Sequence, residues 1–272
     1  MQAPAWSPPS GTLGALVAAA RDRAVALVPR ERELMAAAES AAAVPPFASA
    51  LRGEDVGVVA EVKRRSPSRG SINAALDAAD RAAAYARGGA AAISVLTEPE
   101  QFGGSNDDLT DVAQRVVVPL LRKDFHVHPL QLVEARAIGA SAALLIVRAL
   151  APDELRGLVA DARALRLEVL VEVRDEAELD RALAVGAHVI GVNNRDLETL
   201  RIDPLTGARL IGRIPPDRIA VAESGMRTPD DVETAARWGA DAVLVGTSLS
   251  AAADPEAAVR ALTGKRRASR GD

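Results

Sequence analysis

The amino-acid sequence predicts a closed (β/α)8 barrel preceded by a short helical extension. The chain has 272 residues, a length typical of one such barrel. Eight apolar runs of strand length alternate with amphipathic stretches, and the strand ends recur at roughly 25–30 residues. An open doubly wound sheet has the same alternation and stays the alternative, because closure is not visible in a sequence. Four segments repeat one pattern, a helix end, then glycine and alanine, then a β-branched apolar run: 86–96, 136–147, 183–192 and 237–245.

Residues 1–50 precede the first strand and predict the helical extension. Apolar residues have helical spacing over 13–28, and a second helix over 31–43 ends before Pro45 and Pro46. The segment is too small to hold a core of its own, so we expect it to pack on the barrel.

Local signals mark the boundaries within the barrel, which we assign to residues 51–264. The glycine of each repeated segment suits the left-handed position just past a helix C-terminus. Acidic residues in a first turn predict helix starts near Pro152, Asp175 and Thr228. The predicted strands are 57–62, 91–96, 116–121, 142–147, 167–173, 189–192, 218–222 and 242–245.

Composition limits the classes of function. The chain has no cysteine, which excludes disulfides and thiolate chemistry and leads us to expect a cytoplasmic protein. The formal charge of −4 does not favour nucleic acid, and no run of about 18 apolar residues is available to span a membrane. His126 and His128 lack a third ligand at a convincing spacing, so no metal is predicted. We expect a monomer, with a weak homodimer as the alternative, and a disordered basic tail over 265–272.

Lysine is nearly absent from the chain, and two of its positions are informative. Of 33 basic residues only three are lysines, Lys63, Lys123 and Lys265. The first two stand at the ends of predicted strands 1 and 3. A buried lysine can have a lowered pKa and give up a proton, whereas arginine cannot. We therefore predict a chemical role for Lys63 and Lys123, with ordinary charged strand ends as the alternative.

Carboxylates stand at strand ends too, where barrel enzymes carry their chemistry. Glu61 shares one face of strand 1 with Lys63 because side chains alternate along a strand. Glu172 lies inside an apolar run, where a carboxylate is costly unless it is paired. A functional carboxylate and a buried ion pair with a neighbouring Arg or Lys are both compatible with that position.

The turns after strands 7 and 8 predict a phosphate site. Ser224 and Gly225 follow one strand, and Gly246 and Thr247 follow the next. These small residues offer hydroxyls and free amides at the starts of helices, where the helix dipole favours an anion.

Four blocks of sequence resemble the signature blocks of the indole-3-glycerol phosphate synthase family. They are residues 61–68 (EVKRRSPS), 121–125 (LRKDF), 193–197 (NNRDL) and 222–225 (AESG). The resemblance runs over nearly the whole chain. It implies a (β/α)8 barrel with an N-terminal extension and a carboxy-lyase of tryptophan biosynthesis that needs no cofactor. The implied reaction converts 1-(2-carboxyphenylamino)-1-deoxyribulose 5-phosphate to indole-3-glycerol phosphate by ring closure, decarboxylation and dehydration.

The resemblance also implies roles for individual residues. Lys123 matches the general acid, and Glu172 matches the carboxylate that handles protons during dehydration. Glu61 and Asn193 match groups that hold the ketose oxygens, and Lys63 matches the residue that faces the anthranilate carboxylate. The substrate- and phosphate-binding positions are Ser66, Arg195, Glu223, Ser224, Gly225, Gly246 and Thr247. The walls of the aromatic-ring pocket are Phe102, Phe125, Leu144 and Leu197.

Two alternative functions fit parts of the pattern. One is another sugar-phosphate-binding barrel, such as an aminoaldose isomerase, which would use a carboxylate or cysteine as acid and base. The other is a non-catalytic barrel that binds a phosphate ligand and needs neither Lys123 nor Glu172. The sequence departs from the family at Thr247, where serine is common, and at His126 and His128, in a segment that is usually apolar and then acidic.

Overall fold

Eight parallel strands close into a barrel, which confirms the predicted fold class and excludes the open sheet. The computed structural model describes residues 6–270, so Met1–Ala5, Gly271 and Asp272 of the predicted extension and tail lie outside the described residues. Closure occurs at barrel strand 1, which pairs with strand 2 on one side and with strand 8 on the other. Barrel strands 1 to 8 are Gly57–Val62, Ala92–Leu96, Leu120–Lys123, Ala142–Ile146, Glu168–Val173, Val189–Asn193, Ile219–Glu223 and Ala242–Val245.

Helices surround the barrel and precede it. Among the helices that residues 6–270 form, none combines the length and the apolar character needed to cross a membrane. The α-helices α1 to α12 are Gly11–Val25, Glu31–Ser40, Phe47–Ala50, Ala78–Arg87, Asn106–Arg115, Pro129–Ala137, Pro152–Ala164, Glu176–Ala184, Leu205–Leu210, Pro229–Arg237, Thr247–Ala251 and Pro255–Arg260.

The repeated glycine motif has the backbone conformation that the sequence predicts. Gly89, Gly139, Gly186 and Gly239 have φ values of 94°, 94°, 72° and 84°. An L-residue side chain is disfavoured in this region, so glycine ends the helix and turns the chain into the next strand.

Barrel strand 3 begins at Leu120 and not at residue 116 as predicted. Val117 is 90 % exposed, and Pro119 has no N–H to give to a sheet ladder. The apolar run therefore contains a connecting segment followed by the strand. The strand ends at Lys123, which lies opposite Leu96 of strand 2.

The N-terminal helices pack on the barrel through apolar side chains. Helix α1 buries Leu13, Leu16 and Val17 against the main core, and Phe47 of α3 is fully buried. Burying a side chain of this size contributes about 1.5–3 kcal/mol. This docking brings α1 close to the carboxyl ends of the strands, where Leu16 lines a cavity.

Residues 265–270 of the basic tail contact the barrel. The Val56 N–H donates to the Lys265 carbonyl at 2.8 Å. Arg267 and Arg270 both form ion pairs with Asp241, which is 2 % exposed and directly precedes strand 8. Composition alone suggested a solvated end, because the buried carboxylate that neutralises these arginines is distant in sequence.

Candidate active site

The carboxyl ends of the barrel strands surround a cavity of about 420 Å³. In a parallel barrel these ends converge, so residues far apart in sequence meet there. All sixteen predicted site residues line this cavity: Glu61, Lys63, Ser66, Phe102, Lys123, Phe125, Leu144, Glu172, Asn193, Arg195, Leu197, Glu223, Ser224, Gly225, Gly246 and Thr247.

Lys123 lies between two buried carboxylates. Its Nζ is 3.5 Å from Glu223 Oε2 and 3.6 Å from Glu172 Oε2. Burial by itself lowers the pKa of Lys123, but Glu223, Glu172 and Glu61 together raise that pKa above its ordinary value. The sequence indicated only that a buried lysine can have a lowered pKa, and it did not reveal that three carboxylates surround Lys123. These carboxylates therefore favour the ammonium form of Lys123.

The two carboxylates beside Lys123 differ in environment. Burial raises the pKa of Glu223 to about 8, and Glu172 and Glu61 add to this rise against the opposing effect of Lys123. Glu172 Oε1 accepts a hydrogen bond from Asn193 Nδ2 at 2.9 Å. Glu172 Oε2 and Glu223 Oε1 are buried and accept no hydrogen bond from residues 6–270. Buried polar atoms are rarely left unpaired, so these two oxygens mark the charged cluster as a candidate functional site.

Glu61 and Lys63 form a second charged pair on strand 1. Lys63 Nζ donates to Glu61 Oε1 at 2.6 Å, and both side chains face the cavity, as strand alternation predicted. Burial opposes ionisation of Glu61, but the ammonium groups of Lys63 and Lys123 keep the pKa of Glu61 below its ordinary value. The pair therefore presents a carboxylate and an ammonium to a ligand at the same strand end.

Two glycines, one inside strand 6 and one directly after strand 8, make room for these carboxylates, and sequence reasoning assigned no such role to either. A Cβ on Gly191 would overlap Glu223 Oε1 and lie 3.2 Å from its Cδ. A Cβ on Gly246 would overlap Glu61 Oε1 and lie 2.8 Å from Lys63 Nζ. An isolated glycine inside a strand was the signal available for Gly191. Glycine weakens a strand, so its presence there often marks a site where another group approaches closely.

Two phenylalanines and two leucines form an apolar part of the cavity wall. The rings of Phe102 and Phe125 lie with centroids 6.4 Å apart at 41°, a tilted aromatic pair. Leu144 and Leu197 line the same cavity. Glu98, which sequence reasoning left without a role, accepts the Phe102 N–H at 3.0 Å and so fixes the loop after strand 2. A carboxylate directly after an apolar strand was the available signal.

The strand that carries Lys123 is anchored on its outer side. Arg122 points away from the cavity and donates to Thr97 Oγ1 at 3.1 Å and to Glu134 Oε2 at 2.8 Å. Asp124 accepts from Thr97 Oγ1 at 2.8 Å and from Arg23 of α1 at 2.7 Å. The residues on both sides of Lys123 are therefore held by buried ion pairs, one of them supplied by the N-terminal extension.

The predicted phosphate end of the cavity has a different backbone from the one expected. Ser224 and Gly225 have φ values of 57° and 92°, and helix α10 begins only at Pro229. These two residues therefore lie in the turn before α10 and not in its first turn. Thr228 caps α10 and Pro229 occupies its first position, which confirms the helix start predicted near Thr228. The hydroxyl of Ser66 is buried and has no hydrogen-bond partner among residues 6–270.

Basic side chains line the same cavity, and the histidines lie elsewhere. The basic residues are Lys63, Arg69, Lys123, Arg195 and Arg227. His126 is buried against the Leu144 carbonyl, where burial lowers its pKa to about 4, and His128 caps helix α6. Within the part of the chain that the structure describes, no three His, Cys, Asp or Glu residues are grouped so as to hold a metal ion.

Comparisons with known proteins agree on one family. A family model described as indole-3-glycerol phosphate synthase matches residues 15–262. A protein named indole-3-glycerol phosphate synthase from a Nocardioides species is 55 % identical over 214 residues, which are 79 % of this chain and 82 % of that protein. Indole-3-glycerol phosphate synthase 2 of Streptomyces coelicolor is 48 % identical over 261 residues, 94 % of this chain and 100 % of that protein.

Among solved structures, thiamine phosphate pyrophosphorylase from Pyrococcus furiosus superimposes with a TM-score of 0.58 at 16 % identity. The match covers 76 % of this chain and 93 % of that chain. At this identity the likeness concerns the barrel fold alone.

Proposed function

The chain belongs to the indole-3-glycerol phosphate synthase family, and we propose that Lys123 is the general acid of its ring-closure reaction. The chain is a carbon–carbon lyase of tryptophan biosynthesis, which converts 1-(2-carboxyphenylamino)-1-deoxyribulose 5-phosphate to indole-3-glycerol phosphate, carbon dioxide and water. The proposal concerns which residues carry out each step.

Ring closure joins the aromatic carbon that bears the carboxylate to the carbonyl carbon of the ketose. The carbonyl oxygen gains negative charge as the bond forms, and a proton from Lys123 neutralises it. The raised pKa of Lys123 keeps the amine protonated, so a proton is in place where the alkoxide forms. Loss of carbon dioxide then returns the bonding electrons to the ring.

Dehydration completes the indole, and we assign its proton removal to Glu172. The hydroxyl leaves as water while the adjacent carbon of the former sugar loses a proton. Glu172 is held by Asn193, and its Oε2 lies 3.6 Å from Lys123 Nζ, so the proposed acid and base are neighbours in the cavity. Glu223 in its protonated form would donate to a substrate hydroxyl, which fits the raised pKa of that carboxyl.

One end of the substrate is an aromatic ring and the other is a phosphate. The cavity offers an apolar wall to the first and polar groups to the second. We assign the substrate carboxylate to Lys63, and the ketose oxygens to Glu61 and Asn193. The aromatic ring fits against the apolar wall of Phe102, Phe125, Leu144 and Leu197. We assign the phosphate to Ser66, Arg195, Ser224, Gly225, Gly246 and Thr247, which provide hydroxyls, amides and a guanidinium.

The single observation that carries this assignment is the position of the Lys123 ammonium between Glu172 and Glu223. The test is to add the carboxyphenylamino-deoxyribulose phosphate and follow indole fluorescence for the wild type and for Lys123→Arg. Arginine keeps the charge but does not give up its proton at physiological pH, so kcat should fall by about 100-fold or more. Lys265→Arg is the matched control, because Lys265 pairs with Glu233 far from the cavity.

The two parts of the proposal fail separately. Turnover of Lys123→Arg near the wild-type rate would show that another group is the acid. A wild-type protein that binds the substrate without forming indole would contradict the activity itself.

We also propose that the chain is a cytoplasmic monomer. The absence of cysteine in the sequence supports a reducing compartment. Sedimentation velocity at micromolar concentration tests the monomer, and a concentration-dependent shift to twice the mass of 28.3 kDa would contradict it.

A further inference from the structure

Barrel strand 1 extends beyond its neighbour on one side. The ladder between strands 1 and 8 runs from Gly57 opposite Ala242 to Ala60 opposite Val245, where strand 8 ends. The chain continues toward the cavity with Glu61 and Val62 of strand 1 and then with Lys63. Peptide groups of these residues that face strand 8 therefore need partners from outside the sheet.

One side chain supplies both missing partners. Ser250 of α11 is fully buried, and its hydroxyl donates to the Glu61 carbonyl at 3.0 Å. The same oxygen accepts the Lys63 N–H at 3.1 Å. In a parallel ladder one residue bonds in this way to the two residues that flank its partner. A serine hydroxyl is both donor and acceptor, so it occupies the place of one further ladder residue opposite Val62.

Ser250 forms hydrogen bonds with the backbone of Glu61 and Lys63, the two residues of the charged pair at the cavity. Glu61 and Lys63 carry the 2.6 Å ion pair, so fixing the backbone on both sides of Val62 fixes where these side chains start. Helix α11 also begins directly after Gly246, whose backbone packs against the same pair. Both contacts come from the short segment that follows strand 8.

We propose that Ser250 is a positioning residue that sets the Glu61–Lys63 pair for catalysis by completing the ladder beyond the end of strand 8. The inference rests on the proposed function, because it gives this pair a role in substrate binding and ring closure. Ser250 itself has no contact with the cavity.

If Ser250 only stabilised the fold, its removal would lower stability without changing catalysis. A second buried serine allows this possibility to be tested. Ser141 is 2 % exposed, and its hydroxyl accepts the Leu120 N–H at 3.2 Å at the amino end of strand 3. Ser141→Ala therefore removes a buried hydroxyl from a strand backbone at the end of the barrel opposite the cavity. Both Ser→Ala variants should lower Tm, but only Ser250→Ala should change catalysis.

The experiment measures kcat and KM for Ser250→Ala and Ser141→Ala, alone and combined with Lys63→Met. We expect Ser250→Ala to lower kcat/KM about tenfold and Ser141→Ala to change it less than about twofold. In the Lys63→Met background the effect of Ser250→Ala should shrink to less than about twofold, because residues that act through one another are not additive. Ser250→Cys, with a weaker donor and acceptor, should lie between serine and alanine.

Three results would overturn the inference. They are equal kinetic effects of the two serine variants, full additivity with Lys63→Met, and unchanged hydrogen exchange of the Lys63 amide in Ser250→Ala. The amide exchange, measured by NMR, reports the hydrogen bond itself without substrate. Failure of the proposed function would appear instead as a wild-type protein that forms no indole.

Discussion

Gly191→Ala tests whether the cavity depends on the exact position of Glu223. Gly191 lies in barrel strand 6, and a Cβ there would overlap Glu223 Oε1. The obstacle is the far end of a flexible side chain, so we expect the barrel to fold and the carboxylate to move. The substitution therefore displaces one carboxyl group while leaving its chemistry intact.

The expected change in rate follows from the distance between the Glu223 carboxyl group and the Lys123 ammonium. Glu223 Oε2 lies 3.5 Å from Lys123 Nζ, and a retreat of about 1 Å lengthens this to about 4.5 Å. At a pH above about 8, where Glu223 is ionised, the attraction at an effective dielectric constant of about 20 falls from about 4.7 to about 3.7 kcal/mol. The loss of about 1 kcal/mol corresponds to roughly a fivefold change in rate. If Glu223 is also misplaced relative to the reacting atoms of the substrate, the fall in rate can approach about 100-fold.

The assay is steady-state formation of indole-3-glycerol phosphate followed by fluorescence, with Tm measured on the same samples. Gly157→Ala is the matched control, because Gly157 lies in α7 and a Cβ there would meet no atom within 4 Å. That variant should keep the wild-type kcat and gain up to about 1 kcal/mol of stability from the helix propensity of alanine. A Gly191→Ala protein with wild-type kcat and kcat/KM would refute the reasoning about Glu223.

Two further predictions concern stability. Burial raises the pKa of Glu178 to about 7, with Asp175 adding to the rise, so the folded state binds its proton more tightly than the unfolded state. The wild type should lose on the order of 3 kcal/mol relative to Glu178→Gln as pH rises from about 4.5 to 7, and Tm measured across pH checks this. Equal pH profiles of the two proteins would contradict it. Arg270→Ala should lower the free energy of unfolding by about 3 kcal/mol because it leaves Asp241 partly unpaired, without changing kcat. The exposed Arg266→Ala is its control in urea denaturation, and equal stability of both variants would contradict the role of the tail.

Much of the fold could be predicted because its signals are local. Gly89, Gly139, Gly186 and Gly239 end helices and start strands through the conformational freedom of one residue, which is visible in sequence. The start of strand 3 could not be predicted in this way. Residue 116 begins an apolar run, and only the packing shows that Val117 is exposed while Leu120 is buried.

The members of the candidate site could be predicted, but their electrostatics could not. Strand ends of a parallel barrel converge, so polar residues at those ends were expected to meet. The pKa of Lys123 depends on how many carboxylates surround it, and these come from strands 1, 5 and 7. Ser250 had no signal in the sequence, because its function is to replace a ladder residue that strand 8 lacks.

The sequence by itself determined the barrel, the family resemblance and the residues that line the cavity, since periodicity, turn chemistry and motif blocks are properties of short stretches of chain. The tertiary structure decided the charge states, the clearance at Gly191 and Gly246, and the anchoring of the tail on Asp241. These properties depend on distances between groups that are far apart along the chain. Coulomb interactions and steric overlap change over 1 Å, a scale that only the folded protein defines.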